Sequence, residues 1–417
     1  MLKKIKNLTY KFLIKTQKIT DTDNLYVAKQ GSYLTIGNII TAVASFLLAV
    51  AFGRLLPKEI YGNYRYIISI VMVIGIFALP AMDDAVLQAV ANRFDGSFRR
   101  GLKEKFNWAL LGSIACIVVG GYFFFFKDNS TLAISFLIAA VFFPIMQSTG
   151  LYLSYLGGKK LFKVQVKYNV LTQIISSLLI IVALFFTKNL IILILMYFSS
   201  YALLGTIFLM ASLKRFPPNR ENDEKFISFG KKMSALYVIT TFASQLDKIL
   251  LFNLLGSAEL AIYSFAMLPV SEASIFLKNI RLLALPKFSV RSKEEIKKTL
   301  LKKVYKATLL MIPLIALYIA LAPFFYRILF PQYMDAVNYS MLLFSTLIVF
   351  PFTIIPLYFQ AQLMKKELYQ YNIISPIVTI VLLLVLTPVF GIAGTILARF
   401  VGQIFASIMS IFIFKKG

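Results

Sequence analysis

The 417-residue sequence predicts an all-α polytopic membrane protein, with about twelve transmembrane helices in two six-helix bundles, pseudo-symmetric parallel repeats around a central cavity. Three observations predict it. Apolar segments recur along the chain, basic residues alternate in density between them, and the two halves match at a constant offset.

A bilayer core of roughly 30 Å needs about 20 apolar residues of helix. Segments of that kind lie at 31–53, 62–82, 106–126, 131–156, 164–186, 190–211, 230–253, 259–280, 304–322, 338–362, 370–389 and 391–414. Of the 44 Lys and Arg residues, 36 lie in the N-terminal segment and in or at the edges of every second connection. The intervening connections hold Arg54, Lys58, Lys127, Lys188 and Arg327, and Arg65, Lys248 and Arg399 lie inside spans. Basic connections stay cytoplasmic, so both termini are expected on the cytoplasmic side. Usage rich in Ile, Lys and Phe points to an AT-rich bacterial genome, and the expected place is a bacterial cytoplasmic (inner) membrane, crossed many times.

The expected organisation is a basic cytoplasmic segment at 1–30, one bundle at 31–213, a cytoplasmic linker at 214–229 and a second bundle at 230–417. Residues 1–30 carry seven lysines and no long apolar run, which is unlike a cleaved signal. Leu2, Ile5, Leu8 and Phe12 recur at helical spacing. They allow either a basic amphipathic helix on the membrane surface or a disordered basic tail.

A net charge of +26 suggests nucleic acid in a soluble protein. With 59% hydrophobic residues the charge is topological instead and suits the anionic inner leaflet. Membrane lipids are therefore expected partners and nucleic acid is not. The chain has no His, one Cys (Cys116, inside a span) and no acidic cluster, so neither a metal site, a cofactor nor a disulfide framework is expected. The longest polar stretches, 212–229 and 287–303, are cytoplasmic, and the longest outer connection reads as 323–337. A membrane polymerase or acyltransferase would want a large outer loop or a His-centred set. No enzyme and no catalytic residue is expected.

The end of the first span, Leu55-Leu56-Pro57-Lys58-Glu59-Ile60-Tyr61-Gly62-Asn63-Tyr64, matches the end of the seventh, Leu254-Leu255-Gly256-Ser257-Ala258-Glu259-Leu260-Ala261-Ile262-Tyr263. Pairing Tyr64 with Tyr263 sets an offset of 199 and superposes one half on the other. Six plus six helices in parallel repeats is a transporter layout. At this offset Asn38, Thr41 and Ser45 fall on Tyr237, Thr240 and Ser244. Span seven extends its polar face through Ser234, Tyr237, Thr241, Ser244 and Lys248. Polar groups in lipid face a partner or water. The stripes line a central cavity, or they are small hydroxyl residues packing helices together.

Charge within a span costs about 3 kcal/mol at mid-bilayer and needs an explanation. Asp247 and Lys248 are adjacent on span seven and diverge by about 100° around the helix, so they do not pair face to face. Arg54 and Arg65 lie at a similar level on spans one and two, and Arg399 lies in span twelve. Arg54, Arg65, Lys248 and Arg399 together form a candidate cationic cavity for an anionic headgroup, since Arg grips phosphate bidentately and Lys acts as a point charge. The competing account is snorkelling of Arg54 and Arg65 and structural pairing of Asp247. Asp83, Asp84, Asp247 and Glu272 are either ion-coupling carboxylates or plain structural charges. Prolines 144, 269, 313, 351, 356 and 376 punctuate the spans and suit kinked helices.

Several fragments, in order, resemble the polysaccharide (O-antigen and capsule type) flippases of the multidrug/oligosaccharidyl-lipid/polysaccharide exporter superfamily, over roughly 30–414. They are Phe52-Gly53-Arg54-Leu55-Leu56-Pro57 with Tyr61-Gly62-Asn63-Tyr64; Gln245-Leu246-Asp247-Lys248-Ile249-Leu250-Leu251 with Leu254-Leu255-Gly256 and Ile262-Tyr263-Ser264; Leu329-Phe330-Pro331-Gln332-Tyr333 with Ala336; and Leu386-Thr387-Pro388-Val389-Phe390-Gly391-Ile392-Ala393-Gly394. The resemblance implies transport of a polyprenyl-pyrophosphate-linked oligosaccharide from the inner to the outer leaflet by alternating access, for cell-surface polysaccharide biosynthesis. It also implies the polysaccharide polymerase machinery as a partner. Coupling to H+ or Na+ stays open. The family often carries an Asn in span eleven, where 377–384 offers only Thr379, and span one lacks the acidic residue of proton-coupled drug exporters. The alternative on the same scaffold is a small-molecule or drug exporter, a cation antiporter.

Overall fold

A computed structural model describes residues 24–290, 293–362 and 364–416. Most of the N-terminal segment, with Leu2, Ile5, Leu8 and Phe12, lies outside the described residues. Among those described there is no strand. The first half comprises α1 (Asn24–Leu55), α2 (Lys58–Ile74), α3 (Met82–Ala91), α4 (Ser97–Lys127), α5 (Ser130–Thr149), α6 (Tyr152–Gly158), α7 (Phe162–Phe186) and α8 (Leu190–Arg215). The second comprises α9 (Phe226–Leu255), α10 (Ser257–Val290), α11 (Lys293–Leu329), α12 (Ala336–Ser345), α13 (Ile354–Ala361) and α14 (Lys365–Lys416).

Among the described residues ten helical stretches are long and apolar enough to cross a membrane. The last of them, Lys366–Lys416, is 51 residues long and consists of two helical arms. Gly391 breaks α14 with φ 59° and ψ −132°, a conformation only glycine adopts at low cost. The two arms fold back on each other: the Thr395 hydroxyl donates to the Thr387 hydroxyl at 3.1 Å, and a Cβ on Gly402 would stand 2.7 Å from the Thr379 hydroxyl. Beyond these ten stretches, α10 is a further long helix of 34 residues. Repeat symmetry reaches the backbone, since Lys58 opens α2 and Ser257, 199 residues on, opens α10.

Two sequence expectations need correction. Span two does not run 62–82. It extends over Lys58–Ala78, tightens to 3-10 geometry at Gly75–Ala78, and breaks at Leu79, whose φ is 52°. Pro80 disfavours helical geometry at the residue before it. Asp83 and Asp84 therefore open a new short helix, in its first turn, where carboxylates suit the helix dipole. The outer connection expected at 323–337 is also shorter. α11 continues through Pro313 and Pro323 to Leu329, and Phe330–Asp335 alone links it to α12. Its last turns are held by burial of Ala322 and Tyr326, whose hydroxyl donates to the Phe265 carbonyl at 2.8 Å.

Within the first half α4 packs on α5, α5 on α8, and α1 on α7; within the second, α9 packs on α14 and α10 on α12. α2 joins the halves by packing on both α9 and α10. Gly62 permits this approach, because a Cβ there would sit 1.8 Å from the Ser257 carbonyl oxygen. Small residues serve helix contacts in membranes, where no hydrophobic force drives helices together. The perimeter is apolar, with Phe125 77% and Phe186 86% exposed. On a soluble protein such faces would aggregate; in a bilayer they meet acyl chains.

Candidate functional site

α9 carries the site on two faces. Asp247 is fully buried, and its Oδ2 accepts from the Tyr263 hydroxyl of α10 at 2.6 Å and from Arg399 Nε of α14 at 2.8 Å. Arg399 Nη2 approaches the same carboxylate and donates to the Ser244 carbonyl at 3.1 Å. One helix turn separates Ser244 from Lys248, so this guanidinium ties α14 to the backbone of α9 as well as to its charge. Lys248 points away from Asp247 and donates to Gln245 Oε1 at 2.7 Å. Arg65 stands on α2, which packs on α9. Its Nε is buried without a hydrogen-bond partner, as is Asp247 Oδ1.

Three cations and one carboxylate thus leave a net charge of +2 in a spanning region. Burying charge is expensive unless paired. Arg399 is paired with Asp247; among the described residues neither Arg65 nor Lys248 forms an ion pair. The uncompensated charge makes this a place where an anion would be stabilised.

Of the four cations singled out in the sequence, Lys248 and Arg399 meet at the Ser244–Lys248 turn of α9, Arg65 lies on α2, which packs on α9, and Arg54 stands apart. Arg54 is exposed at the end of α1, where its side chain donates to the carbonyls of Ile328 and Leu329 in the other half. The carboxylates also separate. Asp83 pairs with Lys105 at 2.6 Å, Asp84 Oδ2 accepts from the Tyr237 hydroxyl at 3.3 Å, and Glu272 stands half-buried on α10.

The polar stripe of α9 runs along the helix that packs on α2 and α3 of the first half. Tyr237 meets Asp84 of α3 at one end, and Lys248 closes the stripe at the other. Thr241 and Ser244 lie between them on the same helical face, with Ser244 exposed. The α1 stripe turns inward instead. Thr41 donates to its own helix at Gly37, and the half-buried Asn38 lies one residue on. Ser45 accepts from Gln173 Nε2 of α7 at 3.0 Å, and the Tyr201 hydroxyl of α8 donates to Gln173 Oε1 at 2.9 Å. Sequence reasoning missed Tyr263, Gln173, Tyr201 and Lys105. Tyr263 served as the anchor of the repeat alignment, yet its polar end marks it as a partner for a buried charge. Gln173 falls at i+8 and i+4 from Gln165 and Asn169 on α7, a polar stripe of one helical face that was the signal available for it.

At the expected cytoplasmic end, Lys159 pairs with Asp95 at 2.9 Å. Burial alone would lower its pKa, but hydrogen bonds to Asp95 and Tyr155 outweigh burial and raise it above the usual 10.5. Among the described residues no group of three or more acidic or Cys side chains gathers for a metal ion.

Residues 27–289 match the family model described as polysaccharide biosynthesis protein. The chain belongs to that polysaccharide biosynthesis family. Its fold is that of the MOP superfamily transporters. An inward-facing multidrug resistance MATE family transporter superposes with a TM-score of 0.63 at 12% identity, over 90% of this chain and 94% of that one. The lipid II flippase MurJ, in an inward closed conformation, gives 0.61 at 14% identity, over 91% and 86%. A MOP superfamily transporter from Pyrococcus furiosus, noted for reversed polarity of its binding pocket, gives 0.57 at 13% identity, over 93% and 95%. At these identities the likeness concerns the fold alone. Among curated proteins none matches the chain in sequence.

Proposed function

We propose that this chain is a flippase that carries a polyprenyl-pyrophosphate-linked oligosaccharide from the cytoplasmic to the outer leaflet of a bacterial inner membrane. Both termini are cytoplasmic in this reading, and the two bundles at 31–213 and 230–417 rock about the substrate by alternating access. The observation that carries it is the net positive group of Lys248 and Arg399 with Asp247, set within the spans, with Arg65 on the adjoining α2 of the other half. Membership of a polysaccharide biosynthesis family supports the glycan, and the shared fold with a lipid II flippase supports a lipid carrier.

The chemistry is solvation. A sugar and pyrophosphate headgroup cannot cross hydrocarbon, because each polar group would lose its water at a cost of several kcal/mol. Unpaired Lys248 and Arg65 replace hydration around the phosphates, while hydroxyl and amide groups such as Ser244, Thr241 and Gln245 suit sugar hydroxyls. The prenyl tail stays in lipid throughout. The test is leaflet-resolved. In a strain lacking the gene, labelled lipid-linked sugars should accumulate where an impermeant reagent cannot reach them in spheroplasts, and the wild-type gene should restore access. Unchanged access in a strain with no second flippase rejects this reading and leaves small-molecule export on the same scaffold.

A further inference from the structure

Basic residues are scarce on the expected outer side, yet Arg54 and Lys58 fall within five residues of each other at the turn from α1 to α2. Both reach across to the second half. Arg54 Nε donates to the Leu329 carbonyl at 3.4 Å, and Nη2 donates to that of Ile328. These are carbonyls from the last turn of α11, which lack intrahelical donors and lie at the negative end of the helix dipole. Gln332 returns a bond, its Nε2 donating to the Arg54 carbonyl at 2.9 Å. Lys58 Nζ meets Asp335 Oδ2 at 2.7 Å and stands 5.6 Å from the centre of the Tyr333 ring.

Beneath these polar bonds lies an aromatic seam shared by the halves. Tyr61 packs on Phe265 at 4.8 Å between ring centres, and Phe46 meets Phe330 edge-on at 6.3 Å. Gly53 makes room, since a Cβ there would stand 2.6 Å from the Phe330 ring. Tyr61, Phe265 and Phe330 are buried in the seam, while the polar bonds above it are more exposed: the Lys58 side chain is 26% exposed and that of Asp335 66%. Exposed ion pairs are individually weak and salt-sensitive, so they fasten reversibly.

We propose that Arg54 and Lys58 form an electrostatic latch that holds the outer mouth shut in the empty chain and must release before the mouth opens. The proposal rests on the transporter reading above. It assigns Arg54 to a gate rather than to the headgroup: a guanidinium spent on capping α11 is withdrawn from the phosphates.

The test needs no glycan. Ser244, exposed between α9 and the first half, is replaced by Cys in a chain whose single Cys116 is changed to Ala. The full-length protein is labelled in spheroplasts lacking polyprenyl-linked glycans, with an impermeant maleimide added outside. Lys58→Asp or Asp335→Lys should each raise labelling about fivefold, the factor a favourable exposed pair is worth. The swap Lys58→Asp with Asp335→Lys should return it to the starting level, which a general loss of folding would not do. Arg54→Gln should raise labelling in the same glycan-free membranes. Where reversal variants are poorly made, Lys58→Gln and Asp335→Asn serve instead. Unchanged labelling in Lys58 and Arg54 variants, or a swap that adds to the single effects, overturns the latch. Because the readout is accessibility in the absence of substrate, a failed latch leaves the flippase reading standing. A failed flippase assay likewise leaves the latch to be judged by its own labelling.

Discussion

Removing the Asp247 carboxylate, which is fully buried, leaves the Arg399 guanidinium, 18% exposed, with no counter-charge. The structure supplies the magnitude. Breaking a buried ion pair from one side costs about 3–5 kcal/mol. The Tyr263 hydroxyl, which donates to the same oxygen at 2.6 Å, loses its acceptor and adds about 1 kcal/mol. Asp247→Ala should therefore destabilise the chain by about 4–6 kcal/mol. Asp247→Asn keeps an acceptor for Tyr263 and should cost about 1 kcal/mol less. Asp247→Ala with Arg399→Met removes both charges and fills some of the space, so it should be more stable than Asp247→Ala by about 2 kcal/mol or more. The assay is equilibrium unfolding in mixed detergent micelles, followed by circular dichroism, on the purified full chain. If Asp247→Ala costs less than about 1 kcal/mol, or if the double variant loses the sum of the single losses, the two charges are not coupled and the site's net charge has been miscounted.

Lys248→Ala should reduce glycolipid flipping about tenfold or more with insertion and yield unchanged, since it deletes a charge that no carboxylate pairs; leaflet accessibility in a complemented deletion strain reads it. Gly62→Val should cost about 3 kcal/mol or more, because backbone of the other half occupies the new side chain's space, and loss of folded protein on size-exclusion would show it. Gly391→Ala forces a Cβ into a glycine-only conformation and should cost about 1–3 kcal/mol, measurable in the same micelle titration. The Lys159–Asp95 pair has a sign in pH. A lysine whose folded pKa is raised contributes stability fully below its unfolded value, near 10.5, and loses it as pH rises through the folded value. Stability should therefore fall above about pH 10.5 less steeply in Lys159→Met than in the wild-type chain.

The sequence by itself determined what the bilayer dictates. Length and hydropathy set the helices, because every backbone group in hydrocarbon must be satisfied within its own segment. The repeat was also legible, since local signals at Lys58 and Ser257 recur wherever two halves descend into the same geometry. So was the presence of special charges in the spans, because a costly residue announces itself. The tertiary structure alone decided which charges meet. Asp247 and Arg399 are 152 residues apart, and no periodicity tells which of Arg54, Arg65, Lys248 and Arg399 shares a carboxylate. The span-two break at Leu79 and the helical path through Pro323 were likewise beyond sequence, since proline ends a helix or rides inside one according to what packs beside it. Arg54 shows the same limit from the other side. Its charge and level matched the cluster, but its reach was set by the end of α11, a partner 274 residues away that only folding brings within a hydrogen bond.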